Sequence, residues 1–197
     1  MSKIQHPLTL EGNHVRLEPL SLDHLSGLCK VGLDEKLWMW TPRHIGTRQD
    51  MEAYIREAVA GREEGTEYPF VTTLKSNGLA VGSTRFGNIA LANKRLEIGW
   101  TWVAAGWQRS AVNSEAKLLM LEYAFDVLDC NRVELKTDAL NVKSRRGIVG
   151  IGGTEEGILR HHIVNANGRL RDTVYYSILR SEWPASREIL KARLSRN

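Results

Sequence analysis

The chain has 197 residues, of which 42% are hydrophobic and 25% are charged. These values are typical of one globular domain with a full core. No run approaches the ~18 apolar residues of a membrane span, and Met1–Gly12 lacks the apolar core of a signal peptide. Cys29 and Cys130 make no disulfide framework, and no Cys/His spacing indicates a metal site. We expect a soluble, cytoplasmic protein with reduced thiols, no metal ion and no membrane partner.

The charge balance is mildly basic. There are 27 Lys and Arg against 23 Asp and Glu, a net charge of +4, and the pI is near 9.2. A polyanionic cofactor, a partner rich in nucleic acid such as the ribosome, or no special role would each account for this excess. The densest basic cluster, Lys143–Arg146, is short, which disfavours direct nucleic-acid binding.

The first third of the chain predicts one strand and two helices. His14–Leu20 alternates apolar and polar residues, as a strand does. Ser21 is a candidate N-cap for a helix with leucines at helical spacing, and Thr47 for a second helix from Arg48 to about Glu64. The aromatic run Leu37–Pro42 between these helices is unlike a routine linker.

The next segment predicts a hairpin that leads into a central strand. Tyr68–Lys75 and Leu79–Ser83 are strand-like and flank Ser76-Asn77-Gly78, a strong turn signal. After a less regular run, Arg95–Val103 alternates again. The alternation predicts that Leu96, Ile98, Trp100 and Trp102 share one face of this strand, with Glu97 on the other.

The turn after the central strand is the first candidate site. Small residues, Ser110 to Asn113, lead into a long helix whose apolar stripe runs to about Asp129. The start of a helix carries unpaired backbone N–H groups and a partial positive charge, so such a turn favours an anion. An ordinary capped connection between strand and helix is the alternative.

The second half predicts three strands and two helices. Arg132–Asp138 is a strand, and Asn141 to about Ile151 is a helix that its glycines should make short or mobile. Ile158–Val164 and Leu170–Leu179 form a hairpin, and a helix over 184–194 follows, with Pro184 in its first turn.

The turn Gln108-Arg109-Ser110-Ala111-Val112-Asn113 and the order β-α-α-β-β-β-α-β-α-β-β resemble the GNAT N-acetyltransferase superfamily. The likeness is greatest to the branch of ribosomal-protein N-terminal (alanine) acetyltransferases, and it extends from about His14 to Trp183. Ala111 and Asn113 replace the two glycines of the family motif. The resemblance implies one α/β (α+β) domain over 1–197, with a core at 14–183 and a C-terminal helix at 184–194. Its mixed sheet would have six to seven strands and about four to five flanking helices.

The resemblance implies that acetyl-CoA is the acyl donor. In that family the turn holds the pyrophosphate, the central strand offers backbone hydrogen bonds to the pantetheine arm, and an Asn-x-x-Ser motif contacts pantetheine. The corresponding residues here are Gln108, Arg109, Ser110, Ala111, Val112 and Asn113 for the turn, Thr101, Trp102 and Val103 for the strand, and Asn141 and Ser144 for the motif.

Transfer to an amine also needs a base and a proton donor for the thiolate. Glu97, a carboxylate within an apolar strand, is the candidate base, and a structural carboxylate held by a partner is the alternative. The resemblance gives Ser144 the role of proton donor, although Asn141 and Ser144 are also ordinary helix-capping residues. Near Ile163, where the branch can place its base, His161 and His162 could relay a proton, but we expect each to be exposed or structural.

The remaining expectations concern the acceptor and the assembly. Aromatic residues could wall an acceptor pocket, and neither cysteine has a partner base for an acyl-enzyme. The acceptor is either a protein N-terminal α-amine or a small-molecule amine. A CoA-binding sensor with weakened catalysis and a ribosome-associated binder remain the alternatives. We expect a homodimer, because the sequence favours aromatic residues at the surface, together with Trp183. The pocket candidates are Trp38, Trp40, Trp100, Trp102 and Tyr175.

Overall fold

The computed structural model describes residues 4–196, which form a single mixed sheet with helices on both faces. The eight strands lie in the order β1-β2-β3-β4-β5-β6-β8-β7. All neighbouring pairs are antiparallel except β5 and β6. The strands are β1 (Leu10–Glu11), β2 (Val15–Pro19), β3 (Tyr68–Leu74), β4 (Ala80–Ala90), β5 (Arg95–Val103), β6 (Arg132–Asp138), β7 (Thr154–Val164) and β8 (Leu170–Leu179).

Five α-helices accompany the sheet. Thr47 caps the second of them by accepting from the Asp50 amide, and a Pro in the first turn begins the last. No helix within residues 4–196 has the length and apolar character to cross a membrane. The helices are α1 (Leu25–Gly32), α2 (Arg48–Glu63), α3 (Ala111–Glu122), α4 (Val142–Val149) and α5 (Trp183–Leu194).

The sheet separates two apolar clusters. The larger lies under α3 and α5, where Leu96 and Ile98 of β5 pack with Leu121 of α3. The smaller lies under α1 and α2 and includes Trp38 and Trp102. The central strand therefore contributes apolar side chains to both faces of the sheet, as expected for a strand covered by helices on each side.

A β-bulge in the central strand makes one sequence prediction wrong. Ser83 pairs with Trp102 and Arg85 with Gly99, so one residue of β4 lies opposite two of β5. Trp100 adopts φ = +49° at this point. Because the extra residue reverses the alternation of side chains, Leu96 and Ile98 face α3, whereas Trp102 faces α1 and α2.

The other predicted elements appear with altered bounds. The strand after the hairpin turn extends to Ala90, and the two-residue β1 brings the number of strands to eight. The long helix ends as a π-helical turn over Tyr123–Val127, and the glycine-rich helix is short, at eight residues. Trp183 is buried against Phe125 with their ring centroids 5.5 Å apart. It therefore offers no surface to a second subunit.

Candidate active site

The site lies where the two parallel strands of the sheet separate. β5 and β6 pair only through Arg95–Glu97 and Arg132–Glu134, and the later residues of each strand diverge. The edge of β5 beyond Glu97 is therefore unpaired on the β6 side, while its other edge pairs with β4. An extended chain segment with amide groups can bind such an edge by main-chain hydrogen bonds.

The turn before α3 presents unpaired amides. Ser110 is the N-cap, and its hydroxyl accepts from the Val112 amide at 3.3 Å and donates to the Trp107 carbonyl at 2.6 Å. In the part of the chain that the structure describes, no acceptor contacts the amides of Arg109, Ser110 or Ala111. These N–H groups and the helix start suit an anion of pyrophosphate type.

The replaced glycines of this turn cause no backbone strain. Ala111 and Asn113 lie inside α3 and have no positive φ, whereas Arg109 adopts φ = +62°. The left-handed position of the turn is thus occupied by a charged residue in place of glycine. Arg109 is exposed, so its side chain is available to an anion bound at the turn.

Gln108 connects the central strand to α4. Its amide nitrogen donates to the Val103 carbonyl at 2.9 Å, and its amide oxygen accepts from the Lys143 ammonium. Val103, predicted to bind pantetheine through its backbone, therefore already has one partner at its carbonyl. The second lone pair of that oxygen is still available.

A buried lysine lies under Thr101, another predicted cofactor contact. The Lys117 ammonium, only 7% exposed, donates to the exposed Thr101 hydroxyl at 2.8 Å. The Thr101 and Thr84 hydroxyl oxygens are 2.7 Å apart. Burial lowers the pKa of Lys117 to about 7, and the charge of Glu97 opposes this shift. Sequence reasoning missed Lys117, although a lysine in an apolar helical stripe is an unusual signal.

Glu97 is buried at 2% exposure and has two partners. One carboxylate oxygen contacts the Lys136 ammonium at 2.8 Å and the Asn88 amide at 2.5 Å. Glu97 is thus a carboxylate held by partners, which was the alternative to its role as a base. The carboxylate nevertheless lies at the point where β5 and β6 separate.

The start of α4 contains the Asn-x-x-Ser pair. Asn141 is the N-cap, and its side-chain oxygen accepts from the Ser144 amide at 3.0 Å. The capping role anticipated for Asn141 is therefore present. No hydrogen bond of the Asn141 side-chain nitrogen or the half-buried Ser144 hydroxyl is found within residues 4–196.

The five candidate aromatics divide into two groups. Trp38 and Trp102 are core residues, 5 and 6% exposed, with ring centroids 5.5 Å apart. Trp100 and Tyr175 are half-buried and line an open cleft of about 770 Å³ with Glu67. The Lys136 ammonium lies 6.0 and 5.6 Å from the ring centroids of Trp100 and Tyr175. Trp40, also half-buried, lies under the Arg169 guanidinium.

The histidine candidates lie on β7, and Cys130 is a buried residue just before β6. His161 and His162 are exposed, and only His162 contacts Tyr175, at 5.8 Å between ring centroids. Burial raises the pKa of Cys130 to about 11, which disfavours a thiolate nucleophile. Within residues 4–196 no three His, Cys, Asp or Glu side chains form a group that could hold a metal ion.

Two buried arginines near the site had no sequence signal. Arg85 is fully buried, pairs with Glu67 at 2.7 Å, and lies 4.5 Å from the Tyr54 ring centroid. Arg171 is 7% exposed and donates to the Trp40 carbonyl at 3.4 Å. Each occupies a polar position of a β-strand pattern, from which burial cannot be read.

Comparison with known proteins places this chain in a family. The model of the acetyltransferase (GNAT) domain matches residues 14–154. The "Putative ribosomal N-acetyltransferase YdaF" of Bacillus subtilis (strain 168) is 35% identical over 107 residues, which are 54% of this chain and 57% of YdaF. The chain thus spans little more than half the length of that relative.

Two solved structures share the fold over nearly the whole chain. A GCN5-related N-acetyltransferase from Brucella melitensis has a TM-score of 0.88 and 32% identity, covering 97% of this chain and 86% of that one. RimJ of Mycobacterium smegmatis, in complex with CoA-disulfide, has a TM-score of 0.82 over 95% of each chain. At 24% identity, RimJ is evidence for the fold alone.

The chain belongs to the GNAT acetyltransferase family, as its family match and fold together show. N-acetyltransferase activity and acetyl-CoA use are typical of this family. The match to YdaF agrees with the resemblance to the ribosomal-protein branch noted from the sequence.

Proposed function

We propose that the protein transfers the acetyl group of acetyl-CoA to a primary amine by direct attack in a ternary complex. The observation that carries this proposal is the split of β5 from β6, next to a turn with unpaired amides. Bound acetyl-CoA would supply an activated thioester. The protein would supply binding and orientation, which can account for most of the acceleration when no covalent enzyme intermediate is needed.

The residues that would hold the coenzyme are those of the turn and the split. The amides of Arg109 to Asn113 and the Arg109 charge suit the diphosphate, with Gln108 bracing the turn. The free edge of β5 at 101–103 and the Asn141 amide suit the pantetheine arm. Gln108 joins the end of β5 to α4, so the turn, the strand edge and the start of α4 are neighbours.

Glu97 is the proposed base, acting directly or through water. Its support is position: it is a buried carboxylate at the split, on the strand that would align the thioester. Its ion pair with Lys136 would hold the carboxylate oriented while a proton is accepted. Ser144 is the proposed proton donor to the departing sulfur, because its hydroxyl has no hydrogen bond within residues 4–196.

The acceptor is proposed to enter beside Trp100 and Tyr175. Their cleft is open to solvent and bordered by carboxylates, including Glu67 and Glu134. Aromatic faces and carboxylates attract an ammonium group. A protein N-terminal α-amine and a small-molecule amine both satisfy this chemistry.

The test is CoA release across a panel of amines and N-terminal peptides, together with calorimetry of CoA binding. Glu97→Gln and Ser144→Ala should each lower kcat by about 10²-fold or more with CoA affinity kept. Ser195→Ala, at the C-terminal end of α5, is the matched surface control. Unchanged turnover in both variants would contradict the assigned roles.

A CoA-binding sensor is the second candidate. One observation favours it: the Glu97 carboxylate already has Lys136 and Asn88 as partners. Tight CoA binding without turnover of any amine would establish the sensor, whereas no calorimetric signal with millimolar CoA would contradict both proposals.

A further inference from the structure

Arg171 is a buried cation without an ion pair. It stands at the start of β8, opposite Ile163 of β7, with 7% of its surface exposed. The long bond to the Trp40 carbonyl is its one side-chain hydrogen bond within residues 4–196, and its Nε has no acceptor there. Burial lowers the pKa of Arg171 below its usual value, while the charges of Asp138 and Glu97 oppose this shift. Burying an unpaired guanidinium is costly.

The nearby carboxylates are already engaged by other groups. Glu97 binds Lys136 and Asn88, and Asp138 binds Arg169 and the Leu140 amide. Neither carboxylate lies within 4 Å of the Arg171 guanidinium. The three cations Lys136, Arg169 and Arg171 therefore face two carboxylates, which leaves one positive charge uncompensated in this cluster.

Two further buried donors, one on β8 and one on β5, lack acceptors within residues 4–196. The Thr173 hydroxyl is fully buried and unpartnered, and Thr173 is two residues from Arg171, on the same face of β8. The Trp102 indole nitrogen on β5 is also buried without a partner. Arg171 and Thr173 therefore place orphaned donors on one face of β8, which suits a ligand rich in acceptor oxygens.

We propose that Arg171 binds a carboxylate carried by the acceptor, so that the preferred substrates are amines that also bear a carboxylate group. A guanidinium matches a carboxylate with two parallel hydrogen bonds. The location supports an acceptor contact because Arg171 lies close enough to Glu97, the proposed base, and to Tyr175 of the proposed acceptor cleft for their charges to act on it. This inference rests on the proposed function and specifies its acceptor.

The experiment compares matched acceptors that differ only in the carboxylate. Phenylalanine against 2-phenylethylamine tests a free amino acid, and C-terminally amidated peptides with Asp or Asn at position two test a protein N-terminus. We expect the wild type to prefer the carboxylate member of at least one pair by tenfold or more in kcat/KM. Arg171→Met should reduce that ratio to near one, and Arg171→Lys should retain part of it.

Calorimetry gives a readout that does not depend on turnover. With CoA present, Arg171→Met should weaken binding of the preferred carboxylate acceptor by tenfold or more, while CoA binding changes less than twofold. The exposed Arg180→Met is the control that should change neither. If no amine is turned over, the proposed function fails. Calorimetry of the matched acceptors with the wild type and Arg171→Met still decides whether Arg171 binds a carboxylate.

Stability separates ligand binding from a structural role. Since Arg171 loses no ion pair when replaced, Arg171→Met should have a Tm equal to or above that of the wild type. Arg85→Met, which breaks the buried pair with Glu67, should have a lower Tm. The inference is overturned by equal use of both members of every pair, by a preference that survives Arg171→Met, or by a Tm loss matching that of Arg85→Met.

Discussion

Single buried charges decide the electrostatics of this site. Lys117 lies between α3 and β5 with only the Thr101 hydroxyl as a hydrogen-bond partner within residues 4–196, and burial lowers its pKa to about 7. In an unfolded chain a lysine titrates near 10.4. Between these two pH values the Lys117 side chain is more often protonated in the unfolded state than in the folded state. Its contribution to the stability of the fold must therefore rise with pH. The destabilising effect is complete below pH 7 and is relieved as the pH approaches 10.

Lys117→Met should therefore change the pH dependence of stability. We expect the variant to be more stable than the wild type at pH 7, with the difference shrinking by up to about 1.4 kcal/mol per pH unit between pH 7.5 and 9.5. Urea unfolding of both proteins at several pH values measures this difference. A constant difference across that range would contradict the lowered pKa.

At the scale of elements, the start of α3 combines two roles that substitutions can separate. Arg109 supplies charge beside the unpaired amides and also adopts φ = +62°. A left-handed conformation costs a residue with a Cβ about 1 kcal/mol relative to glycine. Sequence patterns predicted the turn, but neither its N-cap Ser110 nor the residue that takes the left-handed position.

Arg109→Gly and Arg109→Ala form a matched pair. Both remove the guanidinium, so CoA affinity should fall by a similar factor of about 3–10 in each, corresponding to roughly 1 kcal/mol for an exposed charge. The glycine variant should be about 1 kcal/mol more stable than the alanine variant. Calorimetry and urea unfolding test the two effects, and equal stability of the pair would contradict strain at this position.

For the whole molecule, a buried carboxylate joins the N-terminal strands to the helical layer. Glu115 of α3 accepts from the backbone amides of Asn13, His14 and Val15 at 2.8, 2.7 and 2.7 Å. It is only 3% exposed. These contacts span about half of the chain in sequence and hold β2 against α3, the helix that follows the candidate pyrophosphate turn.

Glu115→Ala should destabilise the whole domain. Three amides would lose a charged acceptor, which we expect to cost about 3 kcal/mol or more, or a Tm loss of roughly 6–12 °C for a chain of this size. The exposed Glu188→Ala on α5 is the control. A loss below about 1 kcal/mol would show that water replaces the carboxylate.

Short-range patterns determined much of this protein. The helix start at Thr47, the turn at Ser76–Gly78 and the alternation of Arg132–Asp138 follow from local backbone chemistry and side-chain period. Their order and the turn at Gln108–Asn113 sufficed to predict the family, which comparison confirmed.

Only the tertiary structure decided which charged groups meet. Glu97 and Lys136 come together because α3 carries the chain from β5 to its parallel neighbour β6. The bulge at Trp100 reversed the predicted side-chain faces, since it depends on pairing with β4. Arg171 shows no periodic signal, and its lack of a partner appears only when the strands and the segment at Trp40 are packed together. Local sequence encodes backbone preference and period, whereas burial and ion pairing depend on residues distant in the chain.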